Sequence, residues 1–497
     1  MNGKNSNSVQ AFWVALGNLS SYALTILSGA ILSRYFNKTD YGTFRQISYI
    51  YGSLLVIFSA GLPRVYSYYL PRFSISEGKA IVIQISRVLF VLGAIFSLLL
   101  FLFSGVIAQL LKNEQLEYGL KVFSPVPLLL MPTLGIEGIF SSYKKTFHLA
   151  IYNTITKLLT LLFIVTPVVL FHGTFISAIY GWVIVSFLSL LLALLFRRIP
   201  YVGVEKKSST LKYKDIFDYS LPLVAASLWG IAIKAADEFF ISRYFGAKTF
   251  AEYTNGFTEL PLVSMITAST SIVLMPVLSK LLSEPNNLDQ IKILWKSTLL
   301  KSAYLIYPMV VFFIFNAYPV VVLLYSKAYE HSAIYFQICM VTNFFNIIIF
   351  APLVFAMRAT RFYARLHMLI AALAWSGSYL VVLIFSSPIA IALFSVFLSI
   401  LKVLIALNFV AKRFKVRMID LFPVKQSLQI IVHTSCIMLL IVSGLKFISI
   451  ENYIIEFILS LCIYVVLVLS TSYFFNLEYL KFLDPIISQI RRNLKKI

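Results

Sequence analysis

The stretch Lys234-Ala-Ala-Asp237-Glu238 sets two carboxylates three and four residues after a lysine. On a helix all three share a face. Two chemistries follow: the acids neutralise the lysine, or they exchange a proton or sodium ion while the lysine holds an anion. Glu259 is a further acid inside an apolar run. Arg34, Arg45, Arg64, Arg87, Lys157, Lys234, Arg243, Lys301 and Lys402 also fall within apolar runs. A charge there is costly and is expected in an interior or water-lined position. Arg87 and Lys301 lie close enough to helix ends to reach the headgroups. Lys157 has Glu137 at a similar depth, and a structural pair is expected there.

The surroundings of these charges set the class of protein. The chain has 497 residues, 60% of them hydrophobic and only 12% charged. A soluble protein of this size could not hide so much apolar surface, so the chain reads as an all-α polytopic membrane protein. The net charge of +22 would point to nucleic acid in a soluble protein. Here the basic residues stand mostly between apolar runs, which favours membrane and excludes nucleic acid as the first reading. Cys339, Cys436 and Cys462 lie inside apolar runs and are expected to be buried small hydrophobes, not a disulfide framework or zinc site. The five histidines, His148, His172, His331, His367 and His433, are scattered. The N-terminus is short and polar, and the apolar segment behind it reads as a retained first helix.

A span needs about 20 apolar residues. Fourteen segments qualify: 11–36, 43–70, 81–110, 119–142, 149–171, 174–196, 216–245, 251–279, 297–324, 332–356, 362–385, 389–411, 426–447 and 453–475. The closest cut separates the fifth from the sixth, where only His172-Gly173 intervenes. With the N-terminus inside, the inner segments carry 27 Lys and Arg and the outer ones 6. That bias predicts an even number of spans with both ends cytoplasmic. Eleven prolines within the spans, among them Pro63, Pro125, Pro167, Pro308 and Pro352, permit kinks.

The phrase SRYF occurs at Ser33–Phe36 and again at Ser242–Phe245. Each copy closes a span, and six spans separate them, so both point outward. Continued without a gap, Tyr41 falls opposite Phe250 and Phe44 opposite Tyr253. This is the mark of a parallel repeat about an axis along the membrane normal. It predicts a first lobe over 1–196, a cytoplasmic linker over 197–215, a second lobe over 216–411, a cytoplasmic loop over 412–425, an appended pair of helices over 426–475 and a cytoplasmic tail over 476–497. Alternating access by rocking one lobe against the other follows from that plan. Symmetry puts Arg34 and Arg243 at similar depths, in a shared cavity or snorkelling to the outer headgroups.

A plan of six plus six spans with two more at the C-terminus resembles the lipid-linked oligosaccharide flippases (Wzx-type) of the multidrug/oligosaccharidyl-lipid/polysaccharide exporter superfamily. The residues that carry the resemblance are SRYFNKTDYGTF at the first hairpin, ADEFFISRYFGAKTFAEYTNGF at spans seven and eight, and MPVLSKL at Met275–Leu281. Asn37 stands where the family often has glycine, and asparagine tolerates left-handed geometry better than most residues. The resemblance implies transport without an enzymatic step, of an undecaprenyl-diphosphate-linked oligosaccharide across the bacterial cytoplasmic membrane. It implies a cationic lumen of Arg34, Arg45, Arg64, Lys234 and Arg243, since arginine meets a diphosphate with paired, charge-assisted bonds. It implies ion coupling at Asp237, Glu238 or Glu259, driven by an H+ or Na+ gradient and with no cofactor. The appended pair would guide the lipid tail. A polysaccharide polymerase and chain-length proteins would be neighbours in the pathway. Two alternatives stand beside it: a flippase for the peptidoglycan lipid precursor, which has the same physics and also fourteen spans, and a cation-coupled drug exporter of the same superfamily, which usually has twelve spans and binds cations. The exporter would need acids lining the first lobe, and span one has none.

Overall fold

The computed structural model describes residues 7–283, 287–448 and 452–475, with Leu477 and Tyr479. Nearly all of the expected tail over 476–497 lies outside the described residues. Every described element is helical, and each of the fourteen expected spans has a helical counterpart. Among the described residues, eleven helices are long and apolar enough to cross a membrane, or twelve with the bent pair Lys38–Phe58 and Leu62–Arg72 taken as one span. The helices Asn7–Tyr35 and Tyr213–Gly256 are not among those eleven or twelve.

Polarity is arranged for a lipid solvent. Large apolar side chains stand outward, such as Leu98, Ile384 and Leu440, while Gln46, Asn343 and Asp237 are buried. A soluble protein has the reverse order, because water rather than hydrocarbon meets its surface.

The chain forms two compact units, 1–251 and 252–497. The division lies beyond the 197–215 connection, so the helix that opens at Tyr213 packs with the first unit up to Ala251. The connection itself is tied down. Tyr201 is buried and donates its hydroxyl to Tyr143 at 3.1 Å. Lys79 Nζ donates to the Val204 carbonyl at 2.9 Å, and the Lys207 amide donates to Ser76 at 3.2 Å.

In the first unit, Asn7–Tyr35 packs along Thr146–Thr160. The next helix, Lys38–Phe58, opens with Asn37 as its cap: the side-chain oxygen accepts from the Asp40 amide at 2.8 Å. Asn37 is extended, with φ −66° and ψ 160°, and not left-handed. Its counterpart in the repeat, Gly246, has φ 79°. The two copies therefore turn by different means, a side-chain cap in one and a left-handed glycine in the other.

Prolines and glycines break the spans where a kink was expected. Gly61, at φ 66°, opens Leu62–Tyr69 after a bend of 46°. The segment 115–142 is divided at Pro125 and again near Pro132. The fifth span holds a π-turn over Leu161–Val165 just before Pro167. It ends at Phe171 with His172 in a left-handed cap, and Phe175–Phe196 begins after Thr174. The close cut at His172-Gly173 is thus a real boundary.

In the second unit, Leu288–Phe315 packs against Val424–Ile448 and Ser332–Asn346, and Thr360–Phe385 lies along Pro388–Phe414. Tyr464, on Tyr453–Ser472, donates to the Pro308 carbonyl at 2.8 Å, which ties the appended pair to the unit. Between Pro388–Phe414 and that pair, Arg417 holds the Asp420 carboxyl below its usual range through hydrogen bonds at 3.2 Å. Cys339 is buried, but Cys436 and Cys462 are exposed. The latter two sit on outward faces of the appended helices, where apolar side chains need no protein cover.

Candidate functional site

The candidate site of the first unit lies between Lys38–Phe58 and Tyr213–Gly256. Glu238 sits in the field of Lys234 and Arg45 and beside Asp237. Asp237 is buried, and its carboxylate accepts from the Glu238 amide at 3.0 Å. Tyr49, in the field of both acids, donates to the Ala235 carbonyl at 3.1 Å. The helical spacing explains the first three neighbours, Lys234, Asp237 and Glu238. Arg45 and Tyr49 are added by a different helix. The result is two cations facing two carboxylates, a group able to hold an anion only if the acids give up their claim on the cations. Protonation or ion binding at the acids would do that.

Arg64 is placed separately. It is exposed and lines a cavity of about 180 Å³ with Val56, Ser59, Pro63, Val224 and Ser227. Gly61 makes that approach close: a Cβ there would stand 3.0 Å from the Ser220 carbonyl oxygen.

The two arginines of the repeated phrase have different surroundings. Arg34 is exposed beside a cavity of about 540 Å³ lined by Ile31, Tyr35, Val165, Thr166, Val169 and Leu170. Arg243 donates to the Leu110 carbonyl, at the end of the helix Ser104–Leu110, and lies near the Tyr244 ring. What the phrase does bring together is backbone and buried side chains. Gln46 Nε2 donates to Ser242 Oγ at 2.7 Å, and both residues are fully buried. Asn113 Nδ2 joins them, donating to Thr43 Oγ1 at 2.9 Å and Gln46 Oε1 at 2.5 Å. Gly42 lies so close to Ala247 that a Cβ on it would be 1.9 Å from the Ala247 oxygen. Tyr41, Phe44, Phe250 and Tyr253, the aligned aromatics, are all buried.

Beyond the bend, Leu62–Tyr69 and the turn Leu70–Arg72 meet the start of Tyr213–Gly256. Tyr68 stacks on Tyr219 at 4.0 Å between centroids, Arg72 lies 3.6 Å over Tyr68, and Tyr69 donates to the Asp215 carbonyl at 3.0 Å.

The second unit holds a polar cavity of about 400 Å³, walled by Glu259, Lys402, His367, Asn343, Asn346 and Thr267 among others. Glu259 is exposed and in the field of Lys402. Sequence reasoning named Glu259 but had no place for Lys402 or His367. Positions 259, 367 and 402 share no local spacing: Glu259 lies in the irregular link before Pro261, which interrupts the expected span 251–279, and only tertiary packing joins it to the helices of His367 and Lys402. Lys157 makes no ion pair with Glu137, which is exposed. Among the described residues no three His, Cys, Asp or Glu are gathered to hold a metal. An apolar groove of about 550 Å³ runs between the two appended helices, lined by Leu428, Val432, Ile437, Leu440 and Phe475, with Lys425 at its end.

Against known proteins, the chain shows a clear family and a clear fold. A lipid II flippase, MurJ, solved in an inward closed conformation, is similar at 15% identity and a TM-score of 0.68, over 93% of this chain and 98% of that one. An inward-facing multidrug resistance MATE transporter of the MOP superfamily is 11% identical with a TM-score of 0.64, over 80% of this chain and 94% of that one. A MOP superfamily transporter from Pyrococcus furiosus is 12% identical with a TM-score of 0.55, over 81% and 94%. No curated protein matches the sequence. The model of the polysaccharide biosynthesis protein family matches residues 31–334. That match spans more than half of the sequence: this multi-pass membrane chain, with the fold of MOP superfamily transporters, belongs to the polysaccharide biosynthesis protein family.

Proposed function

We propose that the chain is a flippase, not an enzyme. It carries an undecaprenyl-diphosphate-linked oligosaccharide from the inner to the outer leaflet of the bacterial cytoplasmic membrane, for assembly of a surface polysaccharide. The observation that carries this reading is the charged cluster of the first unit: the exposed Lys234 and half-buried Arg45 lie in the field of Glu238, beside the buried Asp237. A flippase breaks no bond. It must hold a polar, anionic headgroup away from lipid while the tail stays in lipid, and the exposed Lys234 with the half-buried Arg45 answers the first need. The apolar groove between the appended helices suits the second.

The contacts at the two ends of this site supply the moving parts. The Gln46–Ser242 bond and the Gly42–Ala247 approach shut the end that the charge count puts outside. The Tyr68–Tyr219 stack shuts the cytoplasmic end. Transport opens them in turn. The substrate diphosphate takes Arg45 and Lys234 when Asp237 and Glu238 are neutralised by H+ or Na+, and leaves when they are freed. Arg64, in its separate cavity of about 180 Å³, offers the headgroup a further cation. Ionic steering of this kind favours entry of an anion over a cation. That separates this reading from a cation-coupled drug exporter, which would need acids where Arg34 is the one charge within the first span. A peptidoglycan-precursor flippase would share the same physics, and only its glycan would differ.

Export in cells provides the test. Deletion of the gene should stop surface polysaccharide and trap the lipid-linked oligosaccharide on the cytoplasmic face, with peptidoglycan synthesis intact. Loss of peptidoglycan precursor flipping with normal surface polysaccharide would overturn the reading.

A further inference from the structure

The cavity of the second unit joins the acid Glu259 to a lysine, two asparagines, two serines and a threonine, a mixed lining that a lipid tail does not need and that ion coupling at Glu259 alone does not account for. We propose that it is a glycan subsite, which takes one hydroxyl-rich pyranose residue of the transported oligosaccharide. The inference rests on the flippase reading and adds a place for the sugar.

The argument begins with what the wall excludes. Ser264, Thr267, Asn343 and Asn346 face the cavity together with Glu259 and Lys402. A prenyl tail gains nothing from such a wall, and an apolar groove stands elsewhere in the unit. A bare cation would meet the Lys402 ammonium, which repels it. A lone anion would meet Glu259. A sugar hydroxyl is both donor and acceptor, so one ring can donate to Glu259 and accept from Lys402 and the asparagine amides. Charge-assisted bonds of this sort are the stronger ones. The volume of about 400 Å³ lies at the low end for small-molecule sites, roughly 300–1,000 Å³, and admits a ring rather than a whole chain. Tyr363 and His367, whose rings lie 4.1 Å apart and tilted by 32°, give the wall aromatic surface for the apolar face of a pyranose. His367 is buried and its Nδ1 is bonded to the Tyr363 carbonyl at 2.9 Å, which fixes the ring. Lysine at 402 is in the middle of Pro388–Phe414, where an ammonium without a polar partner would be costly. A polar ligand beside Glu259 gives it one.

The experiment uses the full-length protein in lipid nanodiscs, lacking its three native cysteines and carrying Ser264→Cys. The alkylation rate of that cysteine is followed with methyl glucoside, methyl N-acetylglucosaminide and methyl glucuronide, each at tens of millimolar. Cyclohexanol and sodium chloride serve as controls. At least one glycoside should slow alkylation threefold or more, and neither control should. Lys402→Met should remove the protection, and Lys402→Arg should restore part of it, with thermal melting used to show that each variant is folded. No protection by any glycoside, protection that survives Lys402→Met, or equal protection by sodium chloride would each overturn the proposal. Surface polysaccharide export by the same variants separates the two readings. Normal export without glycoside protection sinks the subsite alone; loss of export in the gene deletion is required by the flippase reading and is untouched by the subsite.

Discussion

Gly42→Ala is a one-methyl change with a large expected effect. The new Cβ would stand 1.9 Å from the Ala247 carbonyl oxygen and 2.5 Å from its carbon. Both atoms are backbone, so neither can rotate away. To reach ordinary contact, the helices Lys38–Phe58 and Tyr213–Gly256 must separate by more than ~1 Å, since Cβ contacts below about 3.0 Å are essentially never seen and overpacking is relieved by backbone shifts. A hydrogen bond of 2.7 Å between Gln46 and Ser242, one turn away, does not survive that separation. Overpacking costs about 1–3 kcal/mol and the lost buried bond about 0.5–1.5 kcal/mol. Together these tilt the closed outer contact toward an open one by roughly 2–4 kcal/mol, which is about 30- to 900-fold in population. The assay is labelling of Ser242→Cys, on a background without native cysteines, by a membrane-impermeant maleimide added outside intact cells. The cysteine lacks the Ser242 hydroxyl in both arms, so the comparison reads the overpacking alone, about 1–3 kcal/mol or roughly 5- to 160-fold. Ser242 is fully buried, so the cysteine should label slowly in the parent and at least fivefold faster with Gly42→Ala. Equal labelling in a folded, exporting Gly42→Ala protein would refute the claim that this contact is an outer gate.

Three further outcomes follow. Asp237→Asn should leave abundance unchanged but abolish gradient-driven transport in vesicles; full rescue by Lys234→Met with Asp237→Leu would instead make Asp237 a mere counter-charge. Arg243→Lys should lower the detergent melting temperature by a few degrees, because a lysine cannot reproduce the planar donor that meets the Leu110 carbonyl; unchanged melting would remove Arg243 from that anchoring role. Lys206→Cys should be shielded from an outside reagent and Lys248→Cys should react, and the reverse pattern would overturn the fourteen-span topology.

The sequence carried the helices because lipid demands long apolar runs, and those runs are visible one by one. The break after the fifth span was visible too, since a histidine and a glycine were all that parted two apolar stretches. The repeated SRYF phrase pointed to a paired structure, in which the charge of Arg34 and Arg243 is the conspicuous feature. The contact is made by Gly42, Gln46, Ser242 and Ala247, which are small or neutral and draw no notice in a list of charges. Asn37 and Gly246 show a second limit: aligned positions solved the same turn with different backbone geometry. The cluster around Lys234 was half legible, because Asp237 and Glu238 lie on its own helix while Arg45 and Tyr49 arrive by tertiary packing. The expected Lys157–Glu137 pair failed because similar depth does not fix the direction of a side chain on its helix. His367 and Lys402 were each visible singly, but their meeting with Glu259 was not, since they are far apart in sequence and together in the fold.

The most direct test of the central claim is a leaflet assay with purified protein in liposomes. A fluorescent undecaprenyl-diphosphate oligosaccharide is placed in both leaflets, and a membrane-impermeant oxidant or glycosidase is added outside. Without protein, about half of the lipid should react and then stop. With protein and an imposed H+ or Na+ gradient, the reaction should run to near completion, and Arg45→Glu with Lys234→Glu should return it to half. A reaction that stays at half with the wild-type protein, while a peptidoglycan precursor or a cationic dye is moved by the same vesicles, would contradict the account.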